Sequence, residues 1–175
     1  MSSSNENQDR AADAAKSAEC SRVVLSLLMG PNDANAMGNV HGGSIMRLVD
    51  EAGALAAVRH ARSRVVTVQL DSMSFLEPVY VGDLLTLTAM VNWVGRTSIE
   101  VGVRVEAEDP VSGARTHTNS AYAVYVAIDR HGRSQPVPPL RIESEEQQRR
   151  WDRALARREQ RLKHKRQAEE ERKES

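Results

Sequence analysis

The stretch Asn35-Ala-Met-Gly-Asn-Val-His-Gly-Gly-Ser-Ile-Met-Arg-Leu-Val-Asp-Glu-Ala-Gly-Ala-Leu-Ala-Ala-Val-Arg-His-Ala61 organises the chain. From Ser44 onward its apolar residues fall at Ile45, Leu48, Val49, Ala52, Leu55 and Ala56. Steps of three and four put them on one face of a helix. Small residues such as Ala54 and Ala57 let other elements approach closely on several sides. A glycine inside a helix costs about 1 kcal/mol relative to alanine, so Gly53 predicts a neighbour lying against the backbone. Asp50 stands beside the apolar stripe. A carboxylate near a core is costly unless it is paired or used; the alternative is a surface position next to Glu51.

Strand patterns surround this helix. Ser21 to Met29 reads as a first strand, ended by Gly-Pro-Asn-Asp at 30–33. Arg64 to Phe75 opens with Val66, Val68 and Leu70 on one face, then moves its apolar set to Met73 and Phe75. Alternation has period two, so this change of parity predicts a bulge near Asp71-Ser72. Glu77-Pro78 and Val81-Gly82-Asp83 then turn the chain. Leu85, Leu87, Ala89, Val91 and Trp93 alternate with Thr86, Thr88, Met90 and Asn92. After Gly95-Arg96 come Ile99, Val101, Val103 and Val105; the opposite face, with Ser98, Glu100, Arg104 and Glu106, reads as solvated. Thr116 to Ile128 is apolar on both faces, as expected of a central or interface strand.

The ends differ in kind. Residues 1–19 read as a disordered or loosely held arm, 20–130 as one folded domain, and 131–175 as a linker and a charged helix. Glu143 to Lys173 carries opposite charges at helical spacing with only Trp151, Leu155 and Leu162 as apolar anchors. A helix docked by its first half and frayed in its second is expected. The resulting class is α+β, an antiparallel five-stranded sheet wrapped around one long helix. Such a sheet leaves an edge and a face uncovered, and a second copy is the simplest cover.

Composition narrows the function. The 175 residues carry 24 basic and 24 acidic side chains, a formal net charge of zero, so no field recommends nucleic acid or a membrane surface as the main partner. Cys20 is the sole cysteine, which excludes an intrachain disulfide and a cysteine-rich metal site, and it reads as a small buried residue. With no apolar signal core and no run long enough to span a bilayer, a soluble cytoplasmic protein is expected.

Pro-Asn-Asp-Ala-Asn-Ala-Met-Gly-Asn-Val-His-Gly-Gly at 31–43 and Met-Arg-Leu-Val-Asp-Glu-Ala-Gly at 46–53 are followed by Val-Val-Thr-Val at 65–68 and Phe-Leu-Glu-Pro-Val at 75–79. Val-Gly-Asp at 81–83 and Val-Gly-Arg-Thr-Ser-Ile at 94–99 complete the series. In this order, over roughly residues 20–130, the sequence resembles the hotdog-fold acyl-CoA thioesterases, particularly the cytosolic acyl-CoA hydrolase branch. The resemblance implies hydrolysis of an acyl-CoA thioester to a free acid and CoA. It implies no separate cofactor, CoA being part of the substrate. Some relatives carry two such domains; one domain here implies at least a homodimer, and a trimer of dimers by resemblance.

The resemblance also assigns residues. Asp50 matches the catalytic carboxylate, as general base or as nucleophile through a mixed anhydride. Asn35 matches a site asparagine suited to orient the water or the thioester. Gly42 and Gly43 open the helix, where unpaired N–H groups at the positive end of its dipole suit an oxyanion. Arg96, Thr97 and Ser98 match a turn contacting CoA, with arginine suited to phosphate. His41, just before the glycines, is a substrate-binding candidate with Gly42, although a lone histidine near a helix start is more often structural than catalytic. His60 and His117 show no partners, and no metal-ligand spacing occurs. Gly43 and Asp50 lie about 10 Å apart along the helix, too far for one thioester carbon to contact both. Asp50 is therefore expected from one subunit, and Asn35 and Gly43 from its partner. Met46, Val49, Met73 and Phe75 are expected to line the acyl pocket. The rival readings are a hydroxyacyl dehydratase, whose histidine–proline–glycine signature is missing, and a non-catalytic acyl-CoA binding module.

Overall fold

In the computed structural model, which describes residues 15–174, the organising stretch forms helix α1, Gly42–Ala61. Ile45, Leu48, Val49, Ala52 and Ala56 are buried, as their spacing requires; Leu55 is not, and Ala57 and His60 complete the inward stripe instead. The helix ends at Arg62, whose positive φ of 55° lets its N–H reach Val58 O.

Around it run β2 (Val23–Leu28), β3 (Arg64–Phe75), β4 (Leu84–Val94), β5 (Ser98–Glu108) and β6 (Arg115–Ile128), all antiparallel, in the order β2-β4-β5-β6-β3. Leu85, Leu87, Ile99, Val101, Val105, Ala123 and Tyr125 close over the helix stripe as one core. Each large aliphatic side chain so buried stabilises by about 1.5–3 kcal/mol. The middle strand is β5; β6 is internal but lies next to the edge strand β3.

Among the described residues four bulges interrupt the ladders, and three of them, on β3 and β4, decide which side chains face inward. The one expected near Asp71-Ser72 is present, between Leu70 and Ser72, and a second lies between Thr67 and Gln69. Residues directly opposite share a face, so pairing with Tyr125, Ala123, Ala121 and Asn119 turns Thr67, Leu70, Met73 and Phe75 inward. Val66, Val68 and Leu70 are therefore not one buried face: all three remain exposed at the edge. On β4 a third bulge, between Val91 and Trp93, places Trp93 opposite Glu100 on the outer face, away from Leu85, Leu87 and Val91.

That outer face is covered. Helix α2, Glu145–Glu174, is continuous through both halves and packs across it. Trp151 meets Trp93 at a ring separation of 6.2 Å, and Ala154 is fully buried. Glu100, expected in solvent, is completely buried and bound by Arg157 at 2.6 Å and Arg161 at 3.0 Å. A buried carboxylate persists only with such partners.

The amino-terminal boundary also moves. β1, Lys16–Ser17, pairs in parallel with β7, Leu140–Arg141. A short turn of helix follows at Ala18–Ser21, and Ser21 Oγ accepts the Val91 N–H. Residues 16–19 are thus held against the domain, and the remainder of the expected arm, 1–14, lies outside the described residues. Cys20 is exposed, contrary to expectation.

Candidate active site

Asp50 projects from the middle of α1 and is exposed in the single chain, which is the surface alternative, next to Glu51, of the two readings left open by its sequence. Two hydroxyls address it. Thr67 donates to Asp50 Oδ1 at 2.8 Å, and the Tyr125 hydroxyl lies 3.2 Å from Asp50 O and 3.4 Å from Oδ1. Tyr125 is buried; desolvation, with the adjacent Asp50 carboxylate, pushes its phenol well above the ordinary value. It therefore stays protonated and donates. No cation pairs with Asp50 among the described residues. The carboxylate is held in place by hydroxyls without being neutralised.

Thr67 and Tyr125 were not singled out from sequence. Their signals were nonetheless present. Thr67 is the lone hydroxyl in Val65-Val66-Thr67-Val68, and Gly53 predicted something against the helix. That neighbour is Tyr125, whose phenol oxygen a Cβ at Gly53 would strike.

The helix N-terminus is organised differently from expectation. His41 is the N-cap, and its Nδ1 accepts the Gly43 N–H at 2.9 Å. The Gly43 donor is thus occupied rather than unpaired, and the ring lies so near that a Cβ at Gly43 would meet Nδ1 at 3.0 Å. His41 has a structural role here. Ser44 and Ile45 donate to His41 O, which leaves Gly42 with the open N–H of the first turn. The Phe75 ring lies against Gly42.

Asn35 sits in the preceding loop, where its Oδ1 accepts from the N–H groups of Met37 at 2.8 Å and Asn39 at 3.3 Å. These bonds fix the amide orientation. Its Nδ2 makes no hydrogen bond among the described residues and is free to donate.

Arg96 and Thr97 form the β4–β5 turn, and Ser98 begins β5. Their carbonyls bind Val137 and Ala127, while the exposed Arg96 guanidinium has no ion pair among the described residues. This turn lies beside Val126 and Ala127, at the end of the sheet where α1 finishes. Gly42 and Phe75 lie at the other end, with a 20-residue helix of about 30 Å between. One chain thus brings Asp50, Thr67 and Tyr125 together but separates the Arg96–Ser98 turn from the helix N-terminus. Of the expected acyl lining, Val49 is fully buried in the core, whereas Met46 and Phe75 are exposed and Met73 half-buried. A concavity of about 560 Å³ lies on the opposite, α2 face and includes none of these residues. Among the described residues no three His, Cys, Asp or Glu side chains are grouped to hold a metal, and no helix is long and apolar enough to cross a membrane.

The thioesterase superfamily profile matches residues 37–114. Protein VdlD of Helicobacter pylori is 37% identical over 144 residues, covering 82% of each chain. The chain belongs to the thioesterase superfamily. This thioesterase is also 36% identical to the human cytosolic acyl coenzyme A thioester hydrolase over 135 residues, 75% of this chain and 35% of that protein. An apo-hexameric acyl-CoA thioesterase superposes with a TM-score of 0.83 at 39% identity, covering 86% of this chain and 96% of the other. The acyl-CoA hydrolase of Staphylococcus aureus, solved with butyryl coenzyme A and coenzyme A, superposes with a TM-score of 0.82 at 31% identity over 89% and 94% of the two chains. It has also been solved with alanine in place of an aspartate, an asparagine and a threonine. The thioesterase therefore has the expected hotdog fold, with a charged carboxy-terminal helix added.

Proposed function

We propose that this acyl-CoA thioesterase works from sites shared between two copies of the chain, with Asp50 as its essential carboxylate. It hydrolyses acyl-CoA thioesters to the free acid and CoA. The observation that carries the reading is the Asp50–Thr67–Tyr125 cluster: a carboxylate oriented by two hydroxyl donors, open to solvent and beside an unpaired edge strand. Two hydroxyl bonds orient a carboxylate while leaving it basic or nucleophilic. The alanine variants of the S. aureus hydrolase support the assignment. Their asparagine and aspartate are 15 residues apart and their aspartate and threonine 17, the spacings of Asn35, Asp50 and Thr67.

Asn35 donates through Nδ2 to the thioester oxygen, and the Gly42 N–H adds a second donor at the positive end of α1. Gly43 joins them when the His41 ring releases its N–H. Arg96, with Thr97 and Ser98, takes the phosphates of CoA. Every chemical role falls to protein groups and substrate, so no cofactor is required. The partition of these groups along α1 requires two chains, antiparallel, with the exposed Val66, Val68 and Leu70 edge between them. A trimer of dimers agrees with the hexameric neighbour, and a cytosolic location with the human relative.

The test is thiol release from a panel of short to long acyl-CoAs, with subunit mixing. Asp50→Asn and Asn35→Ala are each expected to be inactive. Co-refolded in equal amounts, they regain roughly a quarter of wild-type turnover, because half the pairs are mixed and each mixed pair holds one intact site. No regain would place the whole site in one chain. Wild type that binds acyl-CoA yet releases no thiol would make this a binding module.

A further inference from the structure

Helix α2 does more than cover the sheet. It crosses the outer face from β4 to β3, with Trp151 on Trp93, Arg157 on Tyr122 and Glu100, and Arg161 between Glu100 and Asp71. Arg157 stacks 3.6 Å above the Tyr122 ring, so its guanidinium is fixed by both the ring and the carboxylate. The four charges balance, and all are largely withdrawn from solvent: Glu100 is fully buried, and the Asp71 side chain is 8% exposed.

Asp71 is the extra residue of the β3 bulge between Leu70 and Ser72. Leu70 pairs with Ala123 and Ser72 with Tyr122, which leaves Asp71 without a ladder partner. Arg161 is the only partner of its side chain among the described residues. The bulge matters because side-chain parity depends on it. A one-residue slip turns every following side chain to the other face. Here the following residues are Met73 and Phe75, and Phe75 lies against Gly42. Thr67, on the same strand, orients Asp50.

We propose that α2 is a latch on the active-site strand, and that Arg161 and Asp71 are positioning residues that hold the β3 bulge so that Met73 and Phe75 line the acyl site. This rests on the functional reading above. Neither residue touches the reacting atoms, since both lie on the outer face. Their effect grows with the length of acyl chain in contact with Met73 and Phe75.

The test uses the full chain carrying Arg161→Met, Arg161→Lys or Asp71→Asn. Arg161→Met is expected to lower kcat/KM about tenfold for acyl chains of about twelve carbons or more and less than about threefold for acetyl-CoA. Arg161→Lys restores most of the difference. Amide exchange at residues 69–75 accelerates about tenfold in Arg161→Met and Asp71→Asn, with β4 amides unchanged. A loss equal for every chain length, or unchanged exchange at 69–75, overturns the latch. If Arg161→Met does not fold, the isosteric Asp71→Asn decides by the same two readouts. If wild type releases no thiol from any acyl-CoA, the functional reading fails, while exchange still decides whether α2 holds β3.

Discussion

Two carboxylates on opposite faces of one sheet have opposite surroundings. Glu100, on the outer face, is sealed under α2 and bound by two arginines. Asp50, on the helix-facing side, is open to solvent and touched by hydroxyls alone. A buried acid that meets two cations is a structural charge, costly to disturb and unavailable to chemistry. An acid oriented by neutral donors keeps its lone pairs for a reaction. Their partners, more than their depth, distinguish the two roles.

The contrast breaks first at activity. Asp50→Asn should lower thiol release about 10²- to 10⁴-fold, as loss of a general base does, with a change in urea stability within about 0.5 kcal/mol. Glu100→Ala should do the reverse. Two buried arginines lose their shared acid, and unfolding free energy should fall by about 3–5 kcal/mol in denaturant titration. Equal destabilisation by the two substitutions would erase the distinction. A finer cut comes from Thr67→Val, which removes one of the two hydroxyls that orient Asp50 at an exposed oxygen that water can serve instead. Turnover should drop roughly tenfold through lost orientation, while the melting temperature barely moves.

The smallest effect concerns a third buried ionisable group. His60 is fully buried at the end of α1; its Nε2 bonds Pro138 O, and Lys16 lies on its own carbonyl. Burial lowers its pKa, and the nearby Lys16 lowers it further. The folded state therefore keeps His60 neutral where the unfolded chain takes up a proton. Stability is fully present above the ordinary histidine value of about 6.5 and declines below it, with a slope of at most about 1.4 kcal/mol per pH unit. Urea midpoints at pH 7 and pH 5 should differ less in His60→Gln than in wild type. An equal fall in both would remove His60 from the acid response.

Much of this was legible in the chain. The three–four spacing from Ile45 to Ala56 sets the helix, and the parity change after Leu70 announces the bulge at Asp71. Gly53 pointed to close contact, which Tyr125 supplies. What escaped was anything decided by a partner distant in sequence. Glu100 reads as solvated because its arginines lie 57 and 61 residues away, on a helix whose docking face its few apolar residues do not mark. Trp93 reads as inward because the bulge at Asn92 leaves no hydrophobic trace. At the proposed site, Asp50, Asn35 and the glycines are named from the sequence by type and position. The occupied Gly43 N–H was not, because capping depends on the rotamer of His41. Thr67 and Tyr125 escaped because one hydroxyl in a strand resembles any other until the strand is laid on the helix.

The overhang of α2 has a practical meaning. Arg161 reaches the sheet through Asp71 and Glu100, and the helix runs on from there to Glu174, about 20 Å of additional rod at 1.5 Å per residue. A spin label placed on this stretch rides on that rod, so its mobility reports how firmly Arg161 holds the helix to the sheet.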